Sequence, residues 1–248
     1  MMNSCILNES SVHEGSLILV NQSCPLQGAQ GRQLVPVSTG HPELLLRREA
    51  AAALQAALRA LSAQGQIVPV SGYRSRAEQA RLYVDSLREN GEAFTRQFVA
   101  LPDCSEHQTG LAIDLGLQAE SIDFLCPDFP YDGICQRFRQ AAPHFGFIQR
   151  YPAGKESVTG IAHEPWHFRY VGLPHALLMA QQELTLEEYH AMLRRCTPER
   201  PLLFRGAQLY YLPAAQQQTT VSWPKELCCQ VSGNNTDGFL VTLQGDAR

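Results

Sequence analysis

The sequence predicts an α+β fold: a small antiparallel sheet flanked by helices, with a small β-rich appendage at the C-terminal end. Three observations predict it. Helix-like and strand-like stretches are interleaved up to about Arg195, the strand-like ones are short, and after Pro198 and Pro201 the pattern changes to brief β-like runs only. The expected domains are therefore 1–198 for the main body and 199–248 for the appendage.

Residues up to about Ser38 lack strong periodicity, although Leu17-Ile18-Leu19-Val20 suits a strand. Pro42 to about Ala63 reads as a helix, because Pro42 fits a first helical position, Ala, Leu and Arg fill the interior and Gly65 follows. Ile67 to Val70 is strand-like, and Pro69 confines it to an edge or a strand end. Ser75-Arg76-Ala77-Glu78 is a capping box. It starts a helix with Ala80, Tyr83, Val84 and Leu87 on one face, closed by Gly91. This places Arg74 on the loop feeding that helix and Gln79 in its first turns.

Leu111 to Leu117 reads as a strand with Ala112, Asp114 and Gly116 on one face. A helix over 134–142, strands over Phe147–Tyr151 and Trp166–Val171, and helices over Pro174–Glu183 and Thr185–Arg195 complete the body. In the appendage, Leu209–Leu212, Thr219–Trp223 and Phe239–Leu243 are β-like, with a turn at Gly233–Gly238.

Several functions are excluded early. A net charge of -4 gives no reason to expect nucleic acid or an anionic membrane as partner. No apolar stretch approaches the roughly 20 residues that span a bilayer. Met1-Met2-Asn3-Ser4-Cys5 opens a poor signal peptide, so a full-length chain of this kind is expected in the cytoplasm. The eight cysteines have no C-x-x-C spacing, which argues for thiols and against a cysteine-ligated metal.

Three segments carry chemistry: Ser71-Gly72-Tyr73-Arg74-Ser75, the run from Ser105 to Asp114 (SEHQTGLAID), and Glu164-Pro165-Trp166-His167. A catalytic zinc takes three protein ligands of His and carboxylate type and keeps one position open. His107 at a loop end and Asp114 in the next strand can aim at one point, and His167 can supply the third ligand. Glu164 can then sit beside the metal and move protons, while Arg74 can stabilise charge on an attacked carbonyl oxygen. Taken singly, each residue has a plainer explanation as a hydrogen-bonding or surface group. The joint pattern is specific.

That pattern resembles the D,D-peptidases of the VanX/VanY type, including bifunctional VanXY enzymes, within the lysostaphin, D-Ala-D-Ala peptidase and hedgehog-domain superfamily. The family's S-G-Y-R-S, S-x-H-x-x-G-x-A-x-D and E-x-x-H blocks occur here in order. The resemblance runs from about Ile18 to Gly172, weakens towards Arg195 and fades beyond Pro201. It implies one zinc ion held by His107, Asp114 and His167, with Glu164 as catalytic base and Arg74 stabilising the transition state. It also implies that Gln79 and Ser105 help hold the substrate's terminal carboxylate. Trp166 reads equally as a pocket wall or a core aromatic.

His163-Glu164-Pro165-Trp166-His167 also satisfies H-E-x-x-H, a signature that works on a helix. Pro165 inside that helix would cost about 3 kcal/mol or more, and Trp-His-Phe-Arg-Tyr-Val favours a strand. His163 is accordingly expected in the cleft or behind a ligand, and not on the metal. The function expected is zinc-dependent hydrolysis of D-Ala-D-Ala bonds in peptidoglycan precursors, either the free dipeptide or a UDP-linked muropeptide. The alternative is a non-catalytic, zinc-containing module that binds wall fragments or signals; retention of both Glu164 and Arg74 speaks against it.

Overall fold

A computed structural model of the chain describes residues 1–28, 31 and 33–245. Two compact units result. One is assembled from both ends of the chain, Met1–Leu19 and Leu186–Arg248, and so includes the first strand, β1 (Met2–Asn8). The other is continuous, Val20–Thr185. This division differs from the expected boundary at 198/199. The physical reason is that β1 pairs along its whole length with a strand of the C-terminal segment.

The continuous unit begins with a hairpin, β2 (Leu34–Ser38) and β3 (His41–Arg47), followed by α1 (Arg48–Ala60). The helix expected from Pro42 thus starts later, because 41–47 is consumed as a strand paired with β2. Ala50, Ala51, Leu54, Ala57 and Leu58 of α1 are buried at helical spacing. Then come β4 (Ile67–Ser71) and α2 (Arg76–Phe98). The Ser75–Glu78 capping box is present in full. Gly91 interrupts α2 with φ 82 but does not end it, since the helix resumes as far as Phe98.

The remaining elements of this unit are β5 (Ala112–Leu117), α3 (Gly133–Ala141), β6 (Phe147–Tyr151), α4 (Glu156–Thr159), β7 (Glu164–Tyr170) and α5 (His175–Gln181). Four strands form an antiparallel sheet in the order β4-β5-β7-β6. Pro69 lies on edge strand β4, next to a register shift, where its missing N–H breaks no inner ladder. One sheet face is apolar: Ile113 and Leu115 of β5 and Phe168 of β7 join α1 and Phe138 of α3 in the core. The other face of β5 and β7 carries Asp114 and His167, directly paired across the strands. The fold is α+β.

In the two-ended unit, α6 (Leu186–Leu193) precedes β8 (Leu202–Phe204), β9 (Ala207–Pro213), β10 (Gln218–Pro224), β11 (Leu227–Gly233) and β12 (Gly238–Gly245). One sheet runs β11-β12-β9-β8, and β1 pairs with β10. Residues 246–248 of the expected appendage lie outside the described residues. Leu17, Ile18 and Leu19 are buried, yet they form no strand. Their backbone is held by other groups: Leu17 N–H donates to Ser232 Oγ, Leu19 N–H to the Asn234 carbonyl, and Asn235 Nδ2 donates to the Leu19 carbonyl. Among the described residues no helix is long and apolar enough to cross a membrane.

The β11–β12 turn rests on Asn234, which is 1% exposed. Its Oδ1 accepts from the backbone N–H groups of Thr236, Asp237 and Gly238 at 2.9, 3.0 and 3.1 Å. Asn234→Ala removes the acceptor for all three and is expected to cost this unit about 2 kcal/mol. Chemical denaturation checks it; an unchanged midpoint for the β-rich unit contradicts this assignment.

Candidate metal centre

His107 sits in a short 3-10 helix, Glu106–Thr109, that ends at Gly110 in the left-handed region (φ 72). Its Nδ1 donates to the Gly72 carbonyl at 2.7 Å. A carbonyl only accepts, so Nδ1 carries the proton and Nε2 is left with a lone pair. That Nε2 lies 3.1 Å from Asp114 Oδ2. Gly72 can reach this position because it has no Cβ: one would stand 2.5 Å from the Leu45 carbonyl oxygen on β3. The Ser-Gly-Tyr-Arg loop is therefore tied to the His107 ring through the Gly72 carbonyl.

His167 completes the group. Its Nδ1 is 2.9 Å from Asp114 Oδ1, and its ring stands nearly perpendicular to that of His107 with centroids 5.0 Å apart. One ligand atom from each of His107, Asp114 and His167 lies within 4.8 Å of the others, and all three residues are buried. Asp114 Oδ1 has no hydrogen-bond partner. Burial alone would lower the pKa of His167, but Asp114, Glu106 and Glu164 outweigh it and push it up to about 10. The site thus attracts positive charge. Two imidazole nitrogens and a carboxylate converging there, with a buried acceptor still unsatisfied, fit a divalent metal of the zinc type.

Glu164 is 5% exposed, and its Oε2 lies 3.6 Å from His167 Nδ1. The two are three positions apart, a spacing that would normally put them on opposite faces of a strand. The pairing with β6 is irregular here: Gln149 and Tyr151 on β6 are two apart, while their partners on β7, Phe168 and Glu164, are four apart, so simple alternation does not hold through this stretch. Burial, with help from Asp114 and Glu106, pushes the Glu164 pKa up to about 8. Positive charge placed beside it acts in the opposite direction. Its proton can therefore exchange near neutrality.

Arg74 Nη1 donates to Gln79 Oε1 at 2.8 Å and its Nη2 to Ser71 Oγ at 2.7 Å. Gln79 is buried and donates in turn to the Ala100 carbonyl at 2.7 Å, so both ends of its amide are engaged. Arg74, Gln79, Ser105, Glu164 and Trp166 line one cleft with the three ligands. Trp166 also packs in the apolar core, so the two readings of it coexist. His163 is not among the lining residues. Its Nε2 is hydrogen-bonded with the Tyr131 hydroxyl at 2.7 Å, and 164–170 is a strand, so the H-E-x-x-H helix does not form.

Sequence reasoning missed Glu106, Arg150 and Arg169. Glu106 is buried, and Arg150 and Arg169 each donate to its Oε1 at 2.8 Å. Burial alone would raise the carboxyl pKa, but the two guanidiniums hold it well below the usual carboxylate range. Tyr151, with its ring 4.9 Å from that of His167, was missed as well. The only sequence signal for Glu106 was its place beside His107. Its arginine partners lie on β6 and β7, too distant in sequence to connect.

A sequence model of the VanY family, described as D-alanyl-D-alanine carboxypeptidase, matches residues 43–173, which include His107, Asp114, His167, Glu164 and Arg74. The chain belongs to the VanY family. Among its relatives in that family, it is 47% identical to the bifunctional D-Ala-D-Ala dipeptidase and D-Ala-D-Ala carboxypeptidase VanXYC of Enterococcus gallinarum, over 71% of this chain and 93% of that one. The solved structure of the vancomycin-resistance D,D-dipeptidase VanXYg, in complex with a D-Ala-D-Ala phosphinate analogue, is similar at TM-score 0.96 and 48% identity. That match covers 98% of this chain and 99% of the other. A vancomycin-resistance D,D-pentapeptidase VanY in complex with Zn(II) matches at TM-score 0.61 and 31% identity, covering 71% and 98% respectively.

Proposed function

We propose that this VanY-family chain is a zinc-dependent D,D-peptidase that hydrolyses the bond between two D-alanines. Its substrates on this reading are the free dipeptide and the terminus of a UDP-linked muropeptide. The observation that carries it is Glu164: a buried carboxyl 3.6 Å from a proposed ligand histidine and outside the proposed ligand set. A module that only bound or signalled would have no use for such a group, which favours catalysis over the alternative.

A zinc ion held by His107, Asp114 and His167 would supply Lewis acidity and lower the pKa of the attacking water. Glu164 takes the proton of that water on its carboxylate and returns it to the leaving amine nitrogen. Arg74 offers its guanidinium to the negative charge that grows on the carbonyl oxygen. Ser71 and Gln79 hold the guanidinium in place from two sides. Ser105 and Trp166 shape the cleft for the terminal residue. Removal of that terminus would deprive vancomycin-type antibiotics of their target.

The direct test is turnover of D-Ala-D-Ala by the zinc-loaded chain, with D-alanine release as the readout. No release from the dipeptide or from a pentapeptide precursor would end this reading. Arg74→Lys keeps the charge but loses the planar fork. It is expected to lower kcat by about 10²–10³-fold and to leave zinc content unchanged. Undiminished kcat in that variant would assign Arg74 a structural role only.

A further inference from the structure

Glu106 takes no part in the chemistry above, yet it reaches a metal ligand. Its Oε1 is occupied by two donors, Arg150 Nε and Arg169 Nη1, each at 2.8 Å. Its Oε2 has no hydrogen-bond partner and lies 3.7 Å from His167 Nε2, which has none either. An unsatisfied buried acceptor is costly, and so is an unsatisfied buried donor. Here one of each stands opposite the other, separated by slightly more than a hydrogen bond. The second ring nitrogen of His167, Nδ1, is the one that faces Asp114.

We infer that Glu106 is a positioning residue: its Oε2 accepts the Nε2 proton of His167 and so fixes the tautomer and ring angle that present Nδ1 to the metal. The inference rests on the metal-dependent reading given above. Ligand histidines commonly donate their second N–H to a carboxylate or a backbone carbonyl, and loss of that partner weakens metal binding by about 10–100-fold. The two histidines of this centre divide those roles. His107 is oriented by the Gly72 carbonyl, His167 by Glu106. Arg150 and Arg169 pin Oε1 from two directions, which leaves Oε2 a single aim. The carboxylate is thus positioned by the same two strands, β6 and β7, that frame Glu164 and His167.

Two measurements test this. The first uses the ¹⁵N-labelled, zinc-loaded wild-type chain, with His167 resonances assigned by their loss in His167→Ala. A proton on Nε2 and none on Nδ1 is expected; a proton on Nδ1 overturns the inference. The second uses Glu106→Asp, which keeps the charge facing the arginines but withdraws the carboxylate by one methylene. Zinc affinity is expected to fall about 10–100-fold, and the visible absorption of the cobalt-loaded form is expected to shift. Unchanged affinity together with an unchanged cobalt spectrum overturns the inference. Glu106→Gln also strips two buried guanidiniums of their counter-charge, so its failure to fold has no bearing and the other two measurements decide. A wild-type chain that takes up no zinc overturns both this inference and the functional reading. One that takes up zinc but releases no D-alanine overturns the functional reading alone, and the tautomer still decides the role of Glu106.

Discussion

Glu164→Ala is expected to retain its zinc and to lose about 10²–10⁴-fold in turnover, the usual contribution of a positioned acid–base group. Retention follows from the geometry of the candidate ligands, because among the described residues the converging atoms belong to His107, Asp114 and His167. The loss follows from the placement of the carboxyl, buried and 3.6 Å from His167 Nδ1. Neither neighbouring carboxylate is placed to replace it: on the proposed ligand set Asp114 would hold the metal, and Glu106 is held on Oε1 by two arginines. Zinc analysis and D-alanine release on one sample check both halves. A variant with full zinc and near-normal kcat would move the proton transfer to another group.

Removal of the metal is expected to abolish hydrolysis, and added zinc to restore it. The same treatment should lower the unfolding temperature of the chain. A ligand present at a thousand times its Kd stabilises the folded state by about 4 kcal/mol. His107→Ala, Asp114→Ala and His167→Ala should each lose zinc, whereas His163→Ala should keep it. The contrast matters because the zincin signature makes His163 a ligand and His107 a bystander. Full zinc occupancy in His107→Ala, or loss of zinc in His163→Ala, would reverse the assignment. Thermal unfolding across a zinc titration provides a readout independent of activity.

How far the fold was legible depended on whether the signal was local. The Ser75–Glu78 capping box is a matter of four residues and was fully readable. So were β5 and β7, since Pro165 and the β-branched and aromatic run after it exclude a helix. β3 was not readable. Its Leu44-Leu45-Leu46 runs straight into the alanine-rich α1, and Pro42 suits a helix start as well as a hairpin; only pairing with β2 decides. Leu17–Leu19 misled in the other direction, because an apolar run signals burial and says nothing of which groups take its backbone bonds. β1 was invisible because its partner lies at the other end of the chain.

The site shows the same division. The candidate ligands brought together in the structure, and Glu164 beside them, fall in compact sequence blocks. The irregular pairing beside Glu164 and the arginine grip on Glu106 exist only once β6 and β7 are side by side. Spacing can nominate a ligand, but only topology supplies what orients it.

The pairing of β1 with β10 has a consequence for how the chain is made. Residues Val20–Thr185 form one uninterrupted run and contain every residue of the metal centre. During synthesis this segment leaves the ribosome whole, and its sheet has all four strands before β10 exists. β1, which emerges ahead of that segment, has no partner until Gln218–Pro224 has been translated. Through that interval it is an unpaired edge with Met2 and Ile6 among its exposed residues, the kind of surface most prone to wrong pairing. The unit that carries the candidate metal centre can thus mature early, while the two-ended unit is the step a holding chaperone has most reason to guard.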